Sequence, residues 1–312
     1  MAPRTTSAPK APAPKSPFNW AGLASLRLRA RAIADGVYAG AHASTRKGAG
    51  VEFGGHRPYA PGDDLRLLDR RATLRHDRPI VRELQTETDR TLRLLVDASA
   101  SMAYGGRRAP VTKFAFAAAL SGALARVALA SGDPVSLEVL GGKGARSLPA
   151  SGGRESFERL LAALASVEPG GDLSDDLSAL ERSMAALARS ARRGSVLVLV
   201  SDLVDTHPET PARFAALGSG GKSLIALRVL DPDERLLPFE GPLRLQALEG
   251  AYEIETEAGA VRAGYRAALE ESDAAWAKRL EARGGALVKA TTADDPVGVV
   301  RELLRAVARG AR

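Results

Sequence analysis

Two aspartates and two serines stand directly after apolar runs and could together hold a metal ion. Asp97, Ser99 and Ser101 alternate in the stretch LLVDASASM, and Asp202 follows the run VLVLVS later in the chain. Alternate residues of an extended chain project to the same side, so these three side chains of the first stretch can turn toward one point. Carboxylate and hydroxyl oxygens are hard ligands that suit Mg²⁺ or Mn²⁺. The pattern therefore predicts a divalent-cation site, provided that the two apolar runs lie side by side.

The apolar runs belong to a region in which predicted strands and helices alternate. The predicted strands cover 91–97, 134–140, 195–202, 222–231 and 285–290. The predicted helices cover 113–131, 154–166, 177–191, 208–217, 260–283 and 296–308. This alternation is typical of an α/β fold with a mostly parallel sheet and helices on both faces. Ligands bind at the carboxyl ends of the strands in such sheets, so Asp97 and Asp202 would face one crevice if their strands are neighbours.

The rest of the chain divides by composition. Residues 1–17 are rich in proline and alanine, which predicts a disordered tail. Residues 18–90 are predicted to form an N-terminal helix with interleaved arginines, followed by loops and short strands dense in Gly, Pro and charge. The α/β domain then extends over 91–312, with a small hairpin insertion of two short strands near 238–259.

Composition and charge exclude several classes of protein. The chain has no cysteine, which rules out disulfides, thiolate metal sites and cysteine nucleophiles. Residues 1–90 carry 16 Lys+Arg against 9 Asp+Glu, whereas residues 91–312 carry 28 of each, so all the excess positive charge lies in the first part. Such a segment can attract nucleic acid, anionic lipid or an acidic protein partner, or it can simply be a solubilising tail with a solvated helix face. We find no apolar run of membrane-spanning length and no secretory signal pattern, and we therefore expect a cytoplasmic protein.

Several separated motifs resemble those of the bacterial domain-of-unknown-function family 58. They are GVYAGAHASTRKGAGVEFGGHRPYAPGDDLRLLD, VDASASMAYG and LDPDERLLPFEGP, in that order. The family is a von Willebrand factor A-like domain preceded by a characteristic segment, and the resemblance extends from about Leu26 to the C-terminus. It implies a von Willebrand factor A-like, Rossmann-like α/β fold.

The resemblance also implies a metal-ion-dependent adhesion site. Asp97, Ser99 and Ser101 would supply its first loop, and Asp202 would contribute from the later strand. In such domains the metal keeps one coordination position open for an acidic side chain of a partner protein. A-type domains usually place a threonine in a further loop.

That further loop reads PGGDLSDDL in this chain, with Asp172 at the position expected for the threonine and Ser174 nearby. Both residues are therefore additional candidate ligands of the cation. A carboxylate at Asp172 would add negative charge, and it could tighten the site or close it to a partner carboxylate. Alternatively, Ser174 takes the place of the threonine.

Three functions follow from these observations, and we favour the first. It is a non-enzymatic, cation-dependent protein-interaction module, whose family implies a MoxR-type AAA+ ATPase as partner in complex maturation or remodelling. The second is a Mg²⁺-dependent phosphoryl-transfer enzyme with Asp97 as nucleophile, although Ser99 stands where a second carboxylate would be expected. The third is nucleic-acid binding through residues 1–90. Asp97 could also simply cap a turn, with Ser99 and Ser101 bonded to backbone.

Overall fold

A six-stranded sheet forms the centre of the protein, and helices cover both of its faces. The computed structural model describes residues 18–43, 56–58, 73, 79–82, 90–144, 147–171, 177–204, 207, 209–246, 248 and 253–310. The helices are α1 (Leu26–Ala43), α2 (Lys113–Ala130), α3 (Gly153–Ala165), α4 (Leu177–Ser190), α5 (Thr210–Ala216), α6 (Pro232–Leu236), α7 (Ala258–Glu281) and α8 (Pro296–Gly310). The strands are β1 (His56–Pro58), β2 (Ile80–Arg82), β3 (Leu92–Asp97), β4 (Val135–Leu140), β5 (Leu148–Ser151), β6 (Val196–Ser201), β7 (Ser223–Leu230), β8 (Pro242–Gln246), β9 (Glu253–Glu257) and β10 (Ala286–Thr291).

The strand order of the sheet creates a crevice beside β3. The order is β10-β7-β6-β3-β4-β5, and all neighbours are parallel except the edge pair β4 and β5. The chain leaves β3 for β4 on one side and later returns to β6 on the other side, so the topological switch point lies between β3 and β6. Their register pairs Val96 with Val200, which brings Asp97 level with Ser201. The predicted von Willebrand factor A-like α/β fold is confirmed.

The apolar runs form the central strands because both of their faces must be covered. All six residues of β6 and all eight of β7 are buried. In an alternating, half-exposed strand every second side chain would be polar, whereas β6 reads VLVLVS and β7 reads SLIALRVL. β-Branched and leucine side chains at successive positions then supply two separate cores, one on each face.

Each face of the sheet has its own set of helices. One core joins β3, β6 and β7 to α1, α2, α3 and α8. The other core lies under α4, α5 and α7 and contains Phe214 and Trp276, whose rings are 6.2 Å apart. Side chains of one strand alternate between these two cores, as the pleat requires.

Helix α1 packs closely on the domain that follows it. Ala30 and Ile33 are fully buried, and the Trp20 ring lies 5.6 Å from the Phe116 ring of α2. A side chain at Gly122 of α2 would approach Ala30 to 2.9 Å, so glycine at this position permits the close approach of the two helices. This helix therefore contributes to the main hydrophobic core.

Helix α2 departs from one sequence expectation. By length and composition it is apolar enough to cross a membrane, the single such helix among the described residues, whereas the sequence led us to expect none. Two thirds of it is buried inside the fold, since its alanine, leucine and phenylalanine side chains pack against the sheet and against α1. The apolar side chains of α2 thus form part of the main hydrophobic core.

Other predicted elements match the structure closely. The five predicted strands appear as β3, β4, β6, β7 and β10, and the predicted hairpin appears as β8 paired with β9. The sequence did not predict the short edge strand β5 or the one-turn helix α6. The predicted tail 1–17 and most of the segment 44–89 lie outside the described residues, and the domain boundary near residue 90 stays a prediction.

Candidate functional site

Asp97 lies at the switch point with both carboxylate oxygens engaged. The Ser99 backbone N–H donates to Oδ1 at 2.8 Å, and the Ser201 hydroxyl donates to Oδ2 at 2.6 Å. The side chain is only 3% exposed. The bond from Ser99 closes a tight turn as the chain leaves β3, which is the turn-capping role considered from the sequence. This turn directs the two serine side chains toward the crevice.

The two serines connect this turn to Asp202. The Ser99 and Ser101 hydroxyl oxygens are 3.1 Å apart, and the Ser101 hydroxyl donates to Asp202 Oδ2 at 2.7 Å. Asp202 follows the last residue of β6, and its Oδ1 accepts from the Val204 backbone N–H at 3.1 Å. The four predicted ligands Asp97, Ser99, Ser101 and Asp202 therefore meet in one crevice.

The two aspartates repel each other in this buried setting. Burial, and next the negative charge of Asp202, raise the pKa of Asp97 from 3.8 to about 7, although hydrogen bonds from Ser201 and Ser99 oppose the shift. Protonated and ionised forms of Asp97 are thus comparably populated at neutral pH. A cation at this place would favour the ionised form.

A buried lysine lies next to Asp202. The Lys113 ammonium, at the start of α2, donates to Asp202 Oδ2 at 2.8 Å and to Glu234 Oε1 at 2.6 Å, and its side chain is 1% exposed. Burial acts to lower the pKa of Lys113, but the charges of Asp202 and Glu234 outweigh it and raise the pKa above its ordinary value. Burial likewise raises the pKa of the Glu234 carboxyl, against the effect of Lys113. Lys113 therefore supplies one permanent positive charge beside the crevice.

Helix α6 holds Glu234 in place through its capping residues. Asp231 caps the helix by accepting from the Asp233 backbone N–H at 2.7 Å, and Glu234 accepts in return from the Asp231 backbone N–H at 2.9 Å. Asp231 also accepts from the Gly106 backbone N–H at 2.7 Å, which ties α6 to the loop after the serines. The carboxylates of the segment LDPDE thus organise one side of the crevice.

Arg228 supports the backbone just beyond Asp202 from the other side. Its guanidinium is 1% exposed and donates to Asp273 at 2.7 Å, to the Ser272 hydroxyl at 2.8 Å and to the Leu203 carbonyl at 2.9 Å. Burial lowers the pKa of Arg228, against the charge of Asp273. Leu203 adopts a left-handed backbone conformation with φ 54°, which costs energy for a residue other than glycine. The bond from Arg228 helps to hold this conformation.

Replacing Arg228 with methionine should lower the free energy of unfolding by about 3–5 kcal/mol, because the partly buried Asp273 carboxylate loses its buried partner and keeps only the exposed Lys289, and because the buried Leu203 carbonyl loses its donor. Chemical denaturation of the two proteins measures this difference. Lys289→Met is the matched control, since Lys289 pairs with the same carboxylate at 3.2 Å but is 51% exposed. That substitution should cost less than about 1 kcal/mol. Equal losses in both variants would contradict a special role for Arg228.

A cavity of about 440 Å³ opens directly onto the crevice. Its polar lining comes from Ser101, Tyr104, Asp202, Asp233, Glu234, Gln246 and Tyr265. The rest of its lining is apolar, and the β8–β9 hairpin and α7 both contribute to the wall. The hairpin insertion predicted from the sequence therefore forms part of the wall beside the predicted cation ligands.

The donor set fits a hard divalent cation. In an octahedral shell with bonds of about 2.0–2.1 Å, neighbouring ligand oxygens are about 2.9 Å apart, and the observed spacings of 3.1 Å and 2.7 Å bracket that value. Across the described ranges, no cluster of three or more His, Cys, Asp or Glu side chains could hold a metal. Binding here would consequently depend on the serine hydroxyls as well as on the aspartates.

Two predicted ligands fall outside this description. Asp172 and Ser174 lie among residues 172–176, which the structure does not describe. The loop up to Gly171 does reach the site, since the Gly171 carbonyl accepts from the Ala100 backbone N–H at 2.9 Å. Their role as ligands stays a prediction.

Sequence reasoning missed several residues of the crevice. Lys113 stands at a helix start with no motif around it, and Ser201 is the last residue of an apolar strand. Glu234 carried one usable signal, because an aspartate followed three residues later by a glutamate is typical of a helix capping box. That signal indicates a helix end and gives no hint of a contact with Lys113.

The mostly parallel sheet with helices on both faces and a switch point beside β3 fits a von Willebrand factor A-like, Rossmann-type fold. The chain belongs to the family described as protein of unknown function DUF58, whose model matches residues 55–275. It is similar to uncharacterized proteins of Mycobacterium tuberculosis and Mycobacterium bovis, each 31% identical over 231 residues, which cover 73% of this chain and 70% of the relative.

Solved structures show more distant likeness. BatB, a conserved hypothetical protein from Bacteroides thetaiotaomicron, has a TM-score of 0.46 and 15% identity over 71% of this chain and 98% of its own. A von Willebrand factor type A protein from Catenulispora acidiphila has a TM-score of 0.42 and 14% identity over 74% of this chain and 44% of its own.

Proposed function

We propose that the protein is a non-enzymatic interaction module that binds a partner protein through a divalent cation, Mg²⁺ or Mn²⁺. Asp97, Ser99, Ser101 and Asp202 would hold the cation. A bound cation supplies positive charge and a coordination position that an acidic side chain of the partner can take. Its partner would be a MoxR-type AAA+ ATPase, as membership of the family suggests, and the ATP chemistry would belong to that partner. The proposal includes a cytoplasmic location.

One observation carries the proposal, which is the meeting of these four side chains at the switch point. Hydrogen bonds of 3.1 Å and 2.7 Å join the Ser99, Ser101 and Asp202 oxygens, so these oxygens already lie close enough together to be neighbouring ligands of one ion. A bound cation would also offset the burial and the charge of Asp202, which together raise the pKa of Asp97. A von Willebrand factor A-like domain of this kind is suited to protein interaction.

The environment of Asp97 argues against the phosphoryl-transfer alternative. Both of its carboxylate oxygens accept short hydrogen bonds, and the side chain is 3% exposed. An aspartyl nucleophile must present a free, ionised oxygen to its substrate. Ser99 also stands at the position where a second carboxylate would be expected in such an enzyme.

Part of the basic N-terminal region has partners within the protein, which weakens the case for nucleic-acid binding. Arg27 of α1 lies 2.7 Å from Glu158 of α3, and Arg31 lies 3.7 Å from the same carboxylate. Arg29 donates to the Leu23 carbonyl at 2.8 Å. Arg27 and Arg31 therefore pair with α3, and Arg29 bonds to the chain just before α1, which reduces the charge that these arginines offer to a phosphate backbone.

The test of the proposed function is a pull-down from a lysate of the source organism with the full chain as bait. We expect a MoxR-type ATPase to be captured in Mg²⁺ and lost in chelator. The variant Asp97→Ala should capture at least about tenfold less, because it removes a predicted ligand. Leu28→Asp, at an exposed position of α1, serves as the control that should capture normally. Capture that ignores both the chelator and Asp97→Ala would overturn the proposal.

A further inference from the structure

The cavity beside the crevice is more apolar than a simple cation site requires. Its apolar lining comes from Val204, Leu237, Phe239, Leu245, Leu248 and Val261. Three of these side chains are unusually open to solvent for their type, since Val204 is 42%, Leu245 36% and Leu248 48% exposed. An apolar surface of this kind next to a polar site is typical of a place where another molecule binds.

Two tyrosines in the same cavity have hydroxyls available for a ligand. Among the described residues, neither Tyr104 nor Tyr265 has a hydrogen-bond partner for its hydroxyl, and both side chains line the cavity. Burial raises the pKa of both phenols, and nearby carboxylates, including Glu234, raise it further. Both hydroxyls therefore remain protonated at neutral pH and can donate to an incoming acceptor.

Charge determines what kind of acceptor fits. Asp202, Asp233 and Glu234 line the cavity, so an acidic group would be repelled without a cation at Ser101 and Asp202. With the cation of the proposed function in place, a partner carboxylate meets a positive centre and two phenol donors. Its neighbouring residue then meets the apolar lining from the hairpin and α7.

We propose that this cavity receives a partner segment in which an acidic side chain stands next to a large aliphatic or aromatic one. The acidic side chain completes the shell of the cation and accepts from Tyr104 and Tyr265. The apolar side chain packs against Leu245, Phe239 and Val261. This inference rests on the proposed cation-dependent function, and it adds a second recognition element, which is the hairpin.

The experiment selects ligands from a phage-displayed library of random linear peptides on the immobilised full chain in Mg²⁺. The expected consensus is Asp or Glu beside Leu, Ile, Met or Phe. A synthetic consensus peptide, measured by fluorescence anisotropy, should bind at least about tenfold more weakly to Leu245→Asp, which places a charge in the apolar lining. Tyr265→Phe should weaken binding about tenfold, because a donor to a charged acceptor is lost.

Leu28→Asp is the matched control, since it also places a carboxylate at a solvent-exposed leucine, but Leu28 lies on α1 and does not line the cavity. It should leave peptide binding unchanged. Mg²⁺ titrations by calorimetry should give the same affinity for all three variants and the wild type, which separates loss of the cavity from loss of the cation site. A consensus without the acidic–apolar pair, binding that survives Leu245→Asp, or no enriched peptide would overturn the inference. Binding lost in Leu245→Asp but unaffected by chelator would support the cavity and contradict the cation-dependent function.

Discussion

Asp97→Asn is expected to make the cation-free protein more stable at neutral and alkaline pH. The pKa of Asp97 is raised from 3.8 to about 7 in the folded state, so the folded protein holds a proton that the unfolded chain releases. The wild-type contribution is therefore fully present below about pH 4 and is lost as pH rises through about 7. Asparagine removes this dependence, and the gain at pH 8 should be on the order of 2–4 kcal/mol.

Urea unfolding in chelator at pH 5 and pH 8 measures this effect as the difference between the two proteins. The gain from Asp97→Asn should be larger at pH 8 than at pH 5. Asp35→Asn provides the control, since the Asp35 side chain is 63% exposed and lies in an ion pair on the surface of α1. A gain in stability that does not change with pH, or a loss of stability at pH 8, would contradict a raised pKa of Asp97 in the folded protein.

Lys113→Met should have an effect of similar size in the opposite direction. Removal of the Lys113 ammonium takes away the positive charge that Asp202 and Glu234 share. The Asp202 side chain is 3% exposed and the Glu234 side chain 22%, so both carboxylates would be left largely buried. Breaking a buried pair in this way costs about 3–5 kcal/mol. Urea unfolding at neutral pH in chelator measures the loss.

A double-mutant cycle with Glu234→Gln tests the reason for that loss. Glutamine keeps an oxygen for the Asp231 backbone N–H but removes one of the two negative charges that Lys113 balances. The second substitution should cost less in the Lys113→Met background than in the wild type. Strict additivity would contradict the direct coupling of Lys113 and Glu234.

The architecture could be predicted from the sequence because its long apolar strands are stable only when both of their faces are buried. A run such as VLVLVS must be covered on both faces, and helices alternate with the strands, so a parallel sheet follows. The short edge strand β5 was not predicted because LPAS has only four residues, no alternation of apolar and polar side chains, and no buried position. Helix α6 has only five residues, and too few side chains for a periodic pattern.

Residues of the candidate site could be predicted from the sequence only where they follow the end of a strand. Asp97 and Asp202 could be placed because the carboxyl ends of neighbouring parallel strands meet at one edge. Lys113 and Glu234 could not, because their contact joins positions far apart in the chain, at the start of α2 and in α6. The cavity depends likewise on how the hairpin folds over the crevice, which no local pattern specifies.

The most direct test of the cation site is calorimetric titration of the chelator-treated full chain with Mg²⁺ at pH 8, where Asp97 is largely ionised. We expect saturable binding of one ion per chain, lost in Asp97→Asn and weakened at least about tenfold in Ser101→Ala. The Leu28→Asp protein, with its substitution on α1, should bind as the wild type does. Absence of saturable binding, or equal binding by wild type, Asp97→Asn and Ser101→Ala, would contradict a cation site formed by Asp97, Ser99, Ser101 and Asp202.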